Sequence, residues 1–269
     1  MPALGTALGL PFGGIVPGFI GPLDGEEASL LDAFSAEFRL FSAYGGSCQR
    51  VRETGGGTEL DIGFTSAGIF DDAAFTAHVG ANQGFTRTWY NQFGASNYGT
   101  ATAGFQPESL INQAGVGTAA TLKFDAVSDR FPHFRVLNRP FTIYLVEKGV
   151  SAGIFRTIGD IDTVNSIISG PRNALNNCQI AGGTISNFSS GTNLALEVVA
   201  APSGSGAKFW VMGTDRTAIT TNTNNFGQVG IGGSEPANSC VCELLIYSVA
   251  HDDTTRARIE TKLRALRGF

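Results

Sequence analysis

The stretch of sequence that decides the fold lies between Phe38 and Gly94 and consists of four short segments. They read Phe38-Arg39-Leu40-Phe41-Ser42-Ala43-Tyr44, Arg50-Val51-Arg52-Glu53, Asp61-Ile62-Gly63-Phe64 and Trp89-Tyr90-Asn91-Gln92-Phe93-Gly94. Glycine runs separate the first three segments, and the residues that lead into the fourth alternate between apolar and polar, as in a half-buried strand. The pattern predicts strands near 36–41, 48–53, 59–64 and 84–90.

The composition of the whole chain favours the same kind of structure. Of its 269 residues only 15% are charged, while 36 are glycine and 20 are phenylalanine. A chain of this length can form one large core. Many glycine and small polar residues favour strands and turns over long helices, and phenylalanine suits the flat core between two sheets. The sequence therefore predicts an all-β sandwich.

The rest of the chain continues this pattern, with a few short helices. Further strands are predicted near 121–124, 141–146, 153–157, 194–199, 208–212, 226–231 and 240–247. One helix is predicted at about 26–34, a second after Asp71, and a closing helix from Asp252 to about Leu266. An apolar stripe marks the closing helix, and its basic residues are expected to face solvent, with a contact to an acidic neighbour as the alternative. The stripe consists of Ile259, Leu263 and Leu266.

The opening segments resemble the catalytic-domain family of fungal and bacterial α-L-arabinofuranosidase B, a pattern that also recurs in phage and prophage proteins. Members of that family read like Ala-Tyr-Ser-Leu-Arg-Lys-Leu, Val-Arg-Arg, Asp-Ile-Gly-Phe and Trp-Tyr-Asp-Gln-Ser-Gly-Asn-Gly. The end of the chain, from Glu243 to Asp253, is similar to laminin-G-like domains of concanavalin type. The resemblance covers roughly residues 28–146 and 226–268 and implies a concanavalin-like (jelly-roll) β-sandwich of two antiparallel sheets. We therefore assign residues 23–269 to this sandwich and residues 1–22, where glycine and proline interrupt the apolar residues, to an N-terminal arm.

The family resemblance also implies where catalytic carboxylates would lie, and the sequence departs from it there. Glycoside hydrolysis normally uses two carboxylates. In the family the acid directly follows a Gly-Ile-Gly-Gly turn, but here Gly230–Gly233 is followed by Ser234, with Glu235 one position later. The family nucleophile falls near Cys178–Gly183, where no carboxylate stands, and the family's adjacent cysteine pair is not found. The remaining acidic candidates are Asp160, Asp162, Glu197 and Asp215. The sequence therefore predicts no catalytic residues and no enzyme.

Other kinds of site receive little support from the sequence. The histidines are scattered and Cys-Val-Cys is not a zinc spacing, so neither a metal nor another cofactor is predicted. A net charge of −5 gives no reason to expect nucleic-acid binding, and no apolar stretch reaches the roughly 20 residues of a membrane span. The aromatic candidates for a sugar platform are Trp89, Tyr90 and Trp210, with core packing as the alternative for each tryptophan.

The four cysteines, Cys48, Cys178, Cys240 and Cys242, are open to two interpretations. They are either small buried apolar residues, or one of Cys240 and Cys242 forms a disulfide with Cys48 or Cys178. On a strand, Cys240 and Cys242 would point to the same face.

The sequence predicts that the arm at 1–22 mediates assembly with other subunits. Glycine and proline interrupt its apolar residues, so it forms no element alone, and burial against another subunit would offset the entropy lost on ordering it. The predicted assembly residues are Leu8, Leu10, Phe12, Ile15 and Phe19.

Taken together, these features predict a structural virion protein of a tailed phage, either a head decoration or a tail or fibre component. Its predicted partners are other virion proteins in a homo-oligomer, with a host-surface glycan as a further candidate. Since the N-terminus lacks the basic region of a secretory signal, the sequence predicts synthesis in the host cytoplasm and a final location in the virion. The alternatives are a carbohydrate-binding adhesin and a glycoside hydrolase of arabinofuranosidase type.

Overall fold

The computed structural model describes residues 18–114, 116, 120–125, 127–150, 158–160, 166–168, 178–180, 183–185, 194–204, 206–216, 226–232, 237 and 239–269. For 133–134, 159–160, 166–168, 178–180, 183–185 and 226–228 it describes the backbone only.

The described residues form strands, two α-helices and one 3₁₀ turn. The strands are β1 (Leu30–Ser35), β2 (Gln49–Glu53), β3 (Glu59–Ile62), β4 (Gly84–Trp89), β5 (Tyr98–Gly99), β6 (Glu108–Leu110), β7 (Thr121–Lys123), β8 (Phe131–Leu137), β9 (Phe141–Gly149), β10 (Ile158–Asp160), β11 (Ser166–Ile168), β12 (Cys178–Ile180), β13 (Gly183–Ile185), β14 (Leu194–Ala201), β15 (Lys208–Val211), β16 (Thr214–Asp215), β17 (Phe226–Ile231) and β18 (Ser239–Tyr247). The helices are α1 (Asp72–Val79) and α2 (Asp253–Arg267), and the 3₁₀ turn is Ala103–Phe105.

Two antiparallel sheets make up the predicted sandwich. The large sheet has the order β16-β15-β14-β9-β18-β7-β6-β4-β2-β3, with β1 paired to β18 and β5 paired to β4. The smaller sheet has the order β11-β10-β17-β8, and β12 and β13 pair separately. The predicted all-β sandwich of two antiparallel sheets is therefore confirmed.

The main core lies between the two sheets, and we call the side of the large sheet that faces it the inner face. Side chains from both sheets fill this core; examples are Phe141, Ile143 and Leu145 of β9 and Val229 and Ile231 of β17. A second core covers the outer face of the same strands, where helix α2 packs. As a result, strands β9, β14 and β18 are buried on both faces.

Both α-helices begin where the sequence predicts, and α2 also ends close to the predicted position. The Asp71 side chain accepts a hydrogen bond from the Ala74 N–H at 3.0 Å, and the Asp252 side chain accepts one from the Thr255 N–H at 2.7 Å. Gly268 ends α2 in the left-handed conformation. Ile259 and Leu263 of the predicted stripe are buried in the outer core, and Leu266 packs against it. No helix in the described part of the chain has the length and apolarity that a membrane crossing requires.

The sequence predicts that the basic residues of α2 face solvent, but three of them pair with acidic residues elsewhere in the sandwich. Arg267 is buried and donates to Glu37 at 2.6 Å and to Glu243 at 2.9 Å. Arg258 and Lys262 both pair with Glu26, which lies at the start of the sandwich. The prediction fails because helix periodicity shows which residues share a face but not which acidic groups the rest of the fold brings to that face.

The predicted helix at 26–34 is also wrong, because Leu30–Ser35 forms strand β1. It pairs antiparallel with β18, and Leu30, Ala33 and Phe34 are buried. A short apolar segment that fits one side of a helix can also form a strand. Here the pairing with β18 determines that the segment is a strand. The segment predicted as a strand at 36–41 is irregular apart from an isolated bridge between Phe38 and Ile69.

Of the predicted assembly residues, only Phe19 is described. Its ring lies against Gly68, and the Arg39 guanidinium stacks 3.8 Å from the ring centroid. Leu8, Leu10, Phe12 and Ile15 lie outside the described residues, so their role in assembly stays a prediction.

Replacing Leu263 by alanine tests the packing of α2. This side chain is buried against the outer core, so we expect the free energy of unfolding to fall by about 2–5 kcal/mol. Thr261→Ala, at an exposed position on the same helix, should change it by less than about 0.5 kcal/mol. Urea denaturation followed by circular dichroism measures both values, and equal effects of the two variants would contradict the packing described.

Candidate active site

Two glutamates lie close together on the inner face of the central strands. Strands β9 and β14 pair in a regular register, with Glu147 opposite Ala195 and Glu197 opposite Leu145. Side chains alternate along a strand, so Glu147 shares a face with Leu145, and Glu197 shares a face with Ala195. Leu145 and Ala195 both belong to the inner core. The two carboxyl groups are therefore diagonal neighbours on adjacent strands, a spacing at which long side chains interact.

Glu197 is the more unusual of the two. It is 0% exposed, and neither of its carboxylate oxygens has a hydrogen-bond partner among the described residues. Its neighbours across the sheet are the apolar Leu145 and Val211. Burial raises the pKa of Glu197 well above its ordinary value, and the charge of Glu147 raises it further. Glu197 therefore keeps its proton where an exposed glutamate would lose it.

Other buried carboxylates of the sandwich have strong partners. Asp32, on β1, accepts two hydrogen bonds from Arg135 of β8, at 2.6 and 3.0 Å. Tyr98 and Asn91 also donate to it, at 2.8 and 2.7 Å. These contacts are what buried acids ordinarily require, because an unpaired buried charge is costly. The lack of such partners at Glu197 suggests a chemical role rather than a structural one.

The glycine turn that the resemblance marks as catalytic begins at the end of β17, and the chain then continues to β18, which pairs with β9. The chain leaves the small sheet at Gly232 and enters the large sheet at Ser239, which pairs with Gly149 of β9. Two residues further along β18, Val241 pairs with Glu147. Gly232 has a φ of +77°, and an added Cβ would lie 2.9 Å from the Asp129 carbonyl oxygen, so only glycine fits there.

A third carboxyl group with a raised pKa, Asp129, lies beside this turn. Burial, with the charge of Asp125 as a further cause, raises the pKa of Asp129 to about 7. Its carboxylate accepts a hydrogen bond from the Asp125 N–H at 3.0 Å. The Asp125 side chain in turn accepts hydrogen bonds from the backbone of Val127, Ser128 and Asp129. These contacts hold a tight loop together, which gives Asp129 a structural role.

The acidic candidates from the sequence are therefore separated by the structure. Glu197 lies in the buried pair, whereas Asp215 is exposed at the end of β16. Ser234, Glu235 and Asp162 lie outside the described residues, and only the backbone of Asp160 is described. The sequence analysis did not identify Glu147 as a candidate. Its position was nevertheless accessible from the sequence, because side chains alternate along β9 and Glu147 lies two residues after Leu145 on the same face.

The aromatic candidates do not form an exposed sugar platform. Trp89 is buried and donates through its indole N–H to the Ser35 carbonyl at 3.0 Å, and Trp210 is buried beside Arg256, so the core interpretation of both is confirmed. Half-buried Tyr90 donates to Asp61 at 2.7 Å.

The described cysteines are likewise part of the interior. Cys48, Cys240 and Cys242 are buried and unpaired, and the last two share the outer face as predicted. Among the residues whose side chains are described, no cluster of three or more acidic, histidine or cysteine residues could hold a metal ion.

The chemistry open to the glutamate pair follows from its environment. A carboxyl group that keeps its proton can donate it to a leaving group, and an adjacent carboxylate can stabilise positive charge on carbon. This division between two acidic residues is the one that glycoside hydrolysis uses.

Comparison with known proteins identifies the fold. In sequence, no protein-family model matches the chain and no curated protein is similar to it. In structure, the chain resembles an arabinofuranosidase complexed with arabinofuranosyl-α-1,2-xylobiose, with a TM-score of 0.71 and 13% identity over 92% of this chain and 65% of that chain. A GH54 α-L-arabinofuranosidase soaked with a cyclic sulfate inhibitor gives the same TM-score and identity, over 92% and 66%. At this identity the likeness shows a shared β-sandwich fold, and the chain spans about two thirds of the length of these enzymes.

These comparisons correct two predictions from the sequence. The predictions of a structural virion protein and of a chain without enzymatic activity are wrong, because the solved structures that share its fold are glycoside hydrolases. A motif contains residues that are close in sequence, whereas strand register also brings distant residues together, as it does for Glu147 and Glu197. None of the matches bears on a phage origin, on the predicted partners or on the location.

The pH dependence of stability tests the environment of Glu197. A raised pKa in the native state means that the native protein binds more protons than the unfolded chain above about pH 4.5, so stability falls as pH rises. One such group changes the free energy of unfolding by at most about 1.4 kcal/mol per pH unit. We expect Glu197→Gln to raise the melting temperature at pH 8 and to flatten its decline between pH 5 and 8.

The matched control is Glu59→Gln, a surface residue that pairs with Arg87. It should leave the slope of melting temperature against pH as in the wild-type protein. An unchanged slope in Glu197→Gln would contradict a buried, protonated Glu197.

Proposed function

We propose that this chain is a glycoside hydrolase that acts on α-L-arabinofuranosides. The observation that carries the proposal is the pair of buried carboxyl groups, Glu147 and Glu197, on the inner face of the sandwich. One of them has no partner among the described residues and retains its proton. A structural protein gains nothing from such a group, because replacing it by an apolar residue would relieve its cost.

The fold supports the reaction class and the substrate class. The solved sandwiches that resemble this chain are arabinofuranosidases, one bound to arabinofuranosyl-α-1,2-xylobiose and one soaked with 4-nitrophenyl α-L-arabinofuranoside. The sequence resemblance in the opening segments points to the same family. Its motif positions lack the carboxylates, and the inner-face pair supplies two others.

Burial of the pair supports a substrate that enters by one end. Glu147 and Glu197 are 3% and 0% exposed, so a polymer chain cannot lie across them. We therefore expect release of single sugar residues rather than cleavage within a polymer.

Hydrolysis of aryl glycosides tests the proposal. The full chain should release 4-nitrophenol from 4-nitrophenyl α-L-arabinofuranoside, with slower release from the β-D-xylopyranoside and the β-D-glucopyranoside. Absorbance of the phenolate measures the rate, and the heat-denatured protein provides the background.

The proposal fails if folded protein releases 4-nitrophenol from none of these compounds at high protein concentration. Folding is checked on the same sample by a cooperative thermal transition. Binding of arabinofuranosides without turnover, measured by calorimetry, would also count against hydrolysis.

A further inference from the structure

We infer that a surface groove beside β5 binds one ring of a neutral saccharide, at a site separate from the glutamate pair. We call it the β5 groove, and its volume is about 260 Å³. This is slightly below the roughly 300–1,000 Å³ of sites for drug-sized ligands, so it suits a single sugar ring. The residues that line it come from the end of β4 and from the segment around β5: Arg87, Thr88, Asn97, Tyr98, Gly99, Thr100 and Ala101.

The position of the groove in the large sheet keeps it away from Glu147 and Glu197. Strand β5 pairs with the end of β4, through Thr88 with Gly99 and Trp89 with Tyr98. In the order of the sheet, strands β18, β7 and β6 lie between β4 and β9. Four strand spacings of about 4.8 Å place β4 about 19 Å from β9. A sugar ring in the groove is therefore out of contact with the glutamate pair, and its binding goes beyond the proposed function.

The framework of the groove is held in place by contacts of its own residues. Tyr98 is buried, and its hydroxyl donates to Asp32 at 2.8 Å. The Thr100 N–H donates to the Arg87 carbonyl at 3.0 Å. An added Cβ on Gly99 would lie 2.1 Å from that same carbonyl oxygen, so only glycine lets β5 approach β4 so closely. A groove fixed in this way loses little conformational freedom when a ligand binds.

The polar side chains of the groove have hydrogen-bonding groups to spare. The Thr88 hydroxyl has no hydrogen bond to a described residue. Asn97 accepts from the Asn91 N–H at 3.0 Å through Oδ1, which leaves both N–H bonds of its amide free of described partners. The Thr100 hydroxyl oxygen accepts from the Thr102 N–H at 3.2 Å, so its own proton is available. Sugar hydroxyls both donate and accept, and they match this mixture of groups.

Arg87 is the charged residue of the groove, and a β-bulge sets its position. The pairing of β2 with β4 passes from Thr88 to Thr86, so Arg87 has no counterpart on β2. Bulges of this kind re-aim a side chain. The Nη1 atom of Arg87 donates to Glu59, while the edge formed by Nε and Nη2 has no partner among the described residues.

The open edge of Arg87 is the one that binds pairs of oxygen atoms elsewhere in this chain. Arg50 uses Nε and Nη2 to hold the two carboxylate oxygens of Asp61, at 2.8 and 2.9 Å. Arg135 does the same with Asp32, at 2.6 and 3.0 Å. Two adjacent hydroxyls on a sugar ring present a similar pair of oxygen atoms to a guanidinium group.

The charge around the groove favours a neutral sugar over an acidic one. Glu59 already supplies the counter-charge of Arg87, and the whole chain carries a net charge of −5. A hydroxyl can accept from Arg87 and donate to Glu59, whereas the carboxylate of an acidic sugar would be repelled by Glu59. Since the one aromatic ring of the lining, Tyr98, is buried, we expect a dissociation constant on the order of 1 mM.

Nuclear magnetic resonance of the ¹⁵N-labelled full chain tests the site directly. The probes are xylotetraose and cellotetraose, which are neutral, and tetragalacturonate, which has the same number of rings and carries a carboxylate on each. The neutral probes should shift the amide signals of 87–88 and 97–101 in a saturable manner. Tetragalacturonate should bind at least about 5-fold more weakly.

Three conservative variants test the side chains one at a time. Arg87→Lys keeps the charge and removes the planar edge, and Thr88→Val removes the hydroxyl at nearly equal size. Asn97→Asp keeps the acceptor for the Asn91 N–H and removes the amide donor. Each should weaken binding of the neutral probes by about 3–10-fold, the value of a lost hydrogen bond. The matched control, Arg50→Lys on the adjacent strand, should stay within about 2-fold of wild type, and thermal melts check that each variant is folded.

Each outcome either supports the β5 groove or overturns it. Binding that shifts other amides instead, or that survives all three variants, overturns the site. Stronger binding of tetragalacturonate overturns the choice of a neutral sugar, and no saturable shift with either neutral probe at 20-fold the expected dissociation constant overturns the inference as a whole. A chain that binds these probes in the groove but hydrolyses no aryl glycoside contradicts the proposed function alone.

Discussion

The rest of this structure depends on the burial of its central strands on both faces. Strands β9, β14 and β18 have the small sheet on one side and helix α2 on the other, so no side chain on them can reach bulk water easily. A carboxylate on such a strand must have a cation within reach or keep its proton. Three glutamates lie on these strands, Glu147, Glu197 and Glu243, and their hydrogen-bond partners differ.

Glu243 on β18 and Asp32 on β1 are buried acids that pair with arginine side chains. Arg267, at the end of α2, donates to both Glu243 and Glu37, and Ser35 adds a hydroxyl at 3.0 Å from Glu243. Asp32 receives Arg135 from the small sheet. The first pairing fixes the closing helix on the large sheet, and the second joins the two sheets to one another. In both cases a bidentate guanidinium satisfies the acid and also orients a whole element.

Glu197 differs from these two acids, because no guanidinium of the described residues reaches it. A buried group of this kind lowers stability, and proteins retain such groups chiefly where chemistry needs them. The same low-dielectric surroundings that make its charge costly also keep the carboxyl group protonated at a pH where an exposed glutamate is ionised. The stability of the fold and the protonation of Glu197 are thus set by one environment.

Much of the fold could be predicted from local signals, because those signals act over a few residues. Asp71, Asp252 and Gly268 mark helix ends through side-chain caps and a left-handed residue, and the apolar segment that contains Leu145 marks a buried strand. Local signals failed at Leu30–Ser35, where pairing with a strand more than 200 residues away overrides the apparent helix pattern.

The candidate site could be predicted only in part, for a related reason. Glu197 was recognisable as an acidic residue in an apolar strand, but nothing in the sequence states that β14 pairs with β9 rather than with another strand. That pairing alone makes Glu147 its neighbour, since the two residues are 50 positions apart in the chain. A motif records residues that are close in sequence, whereas a carboxylate pair needs only to be close in space.

The same distinction applies to the glycine turn, which the structure explains without reference to the other residues of the motif. The glycine turn at Gly232 is retained for a steric reason, the close approach of the Asp129 carbonyl, and this reason is independent of whichever residue follows it. What the reaction requires is one protonated and one charged carboxyl group in a water-poor space. On the inner face of β9 and β14, strand register rather than the turn determines which carboxyl groups are neighbours.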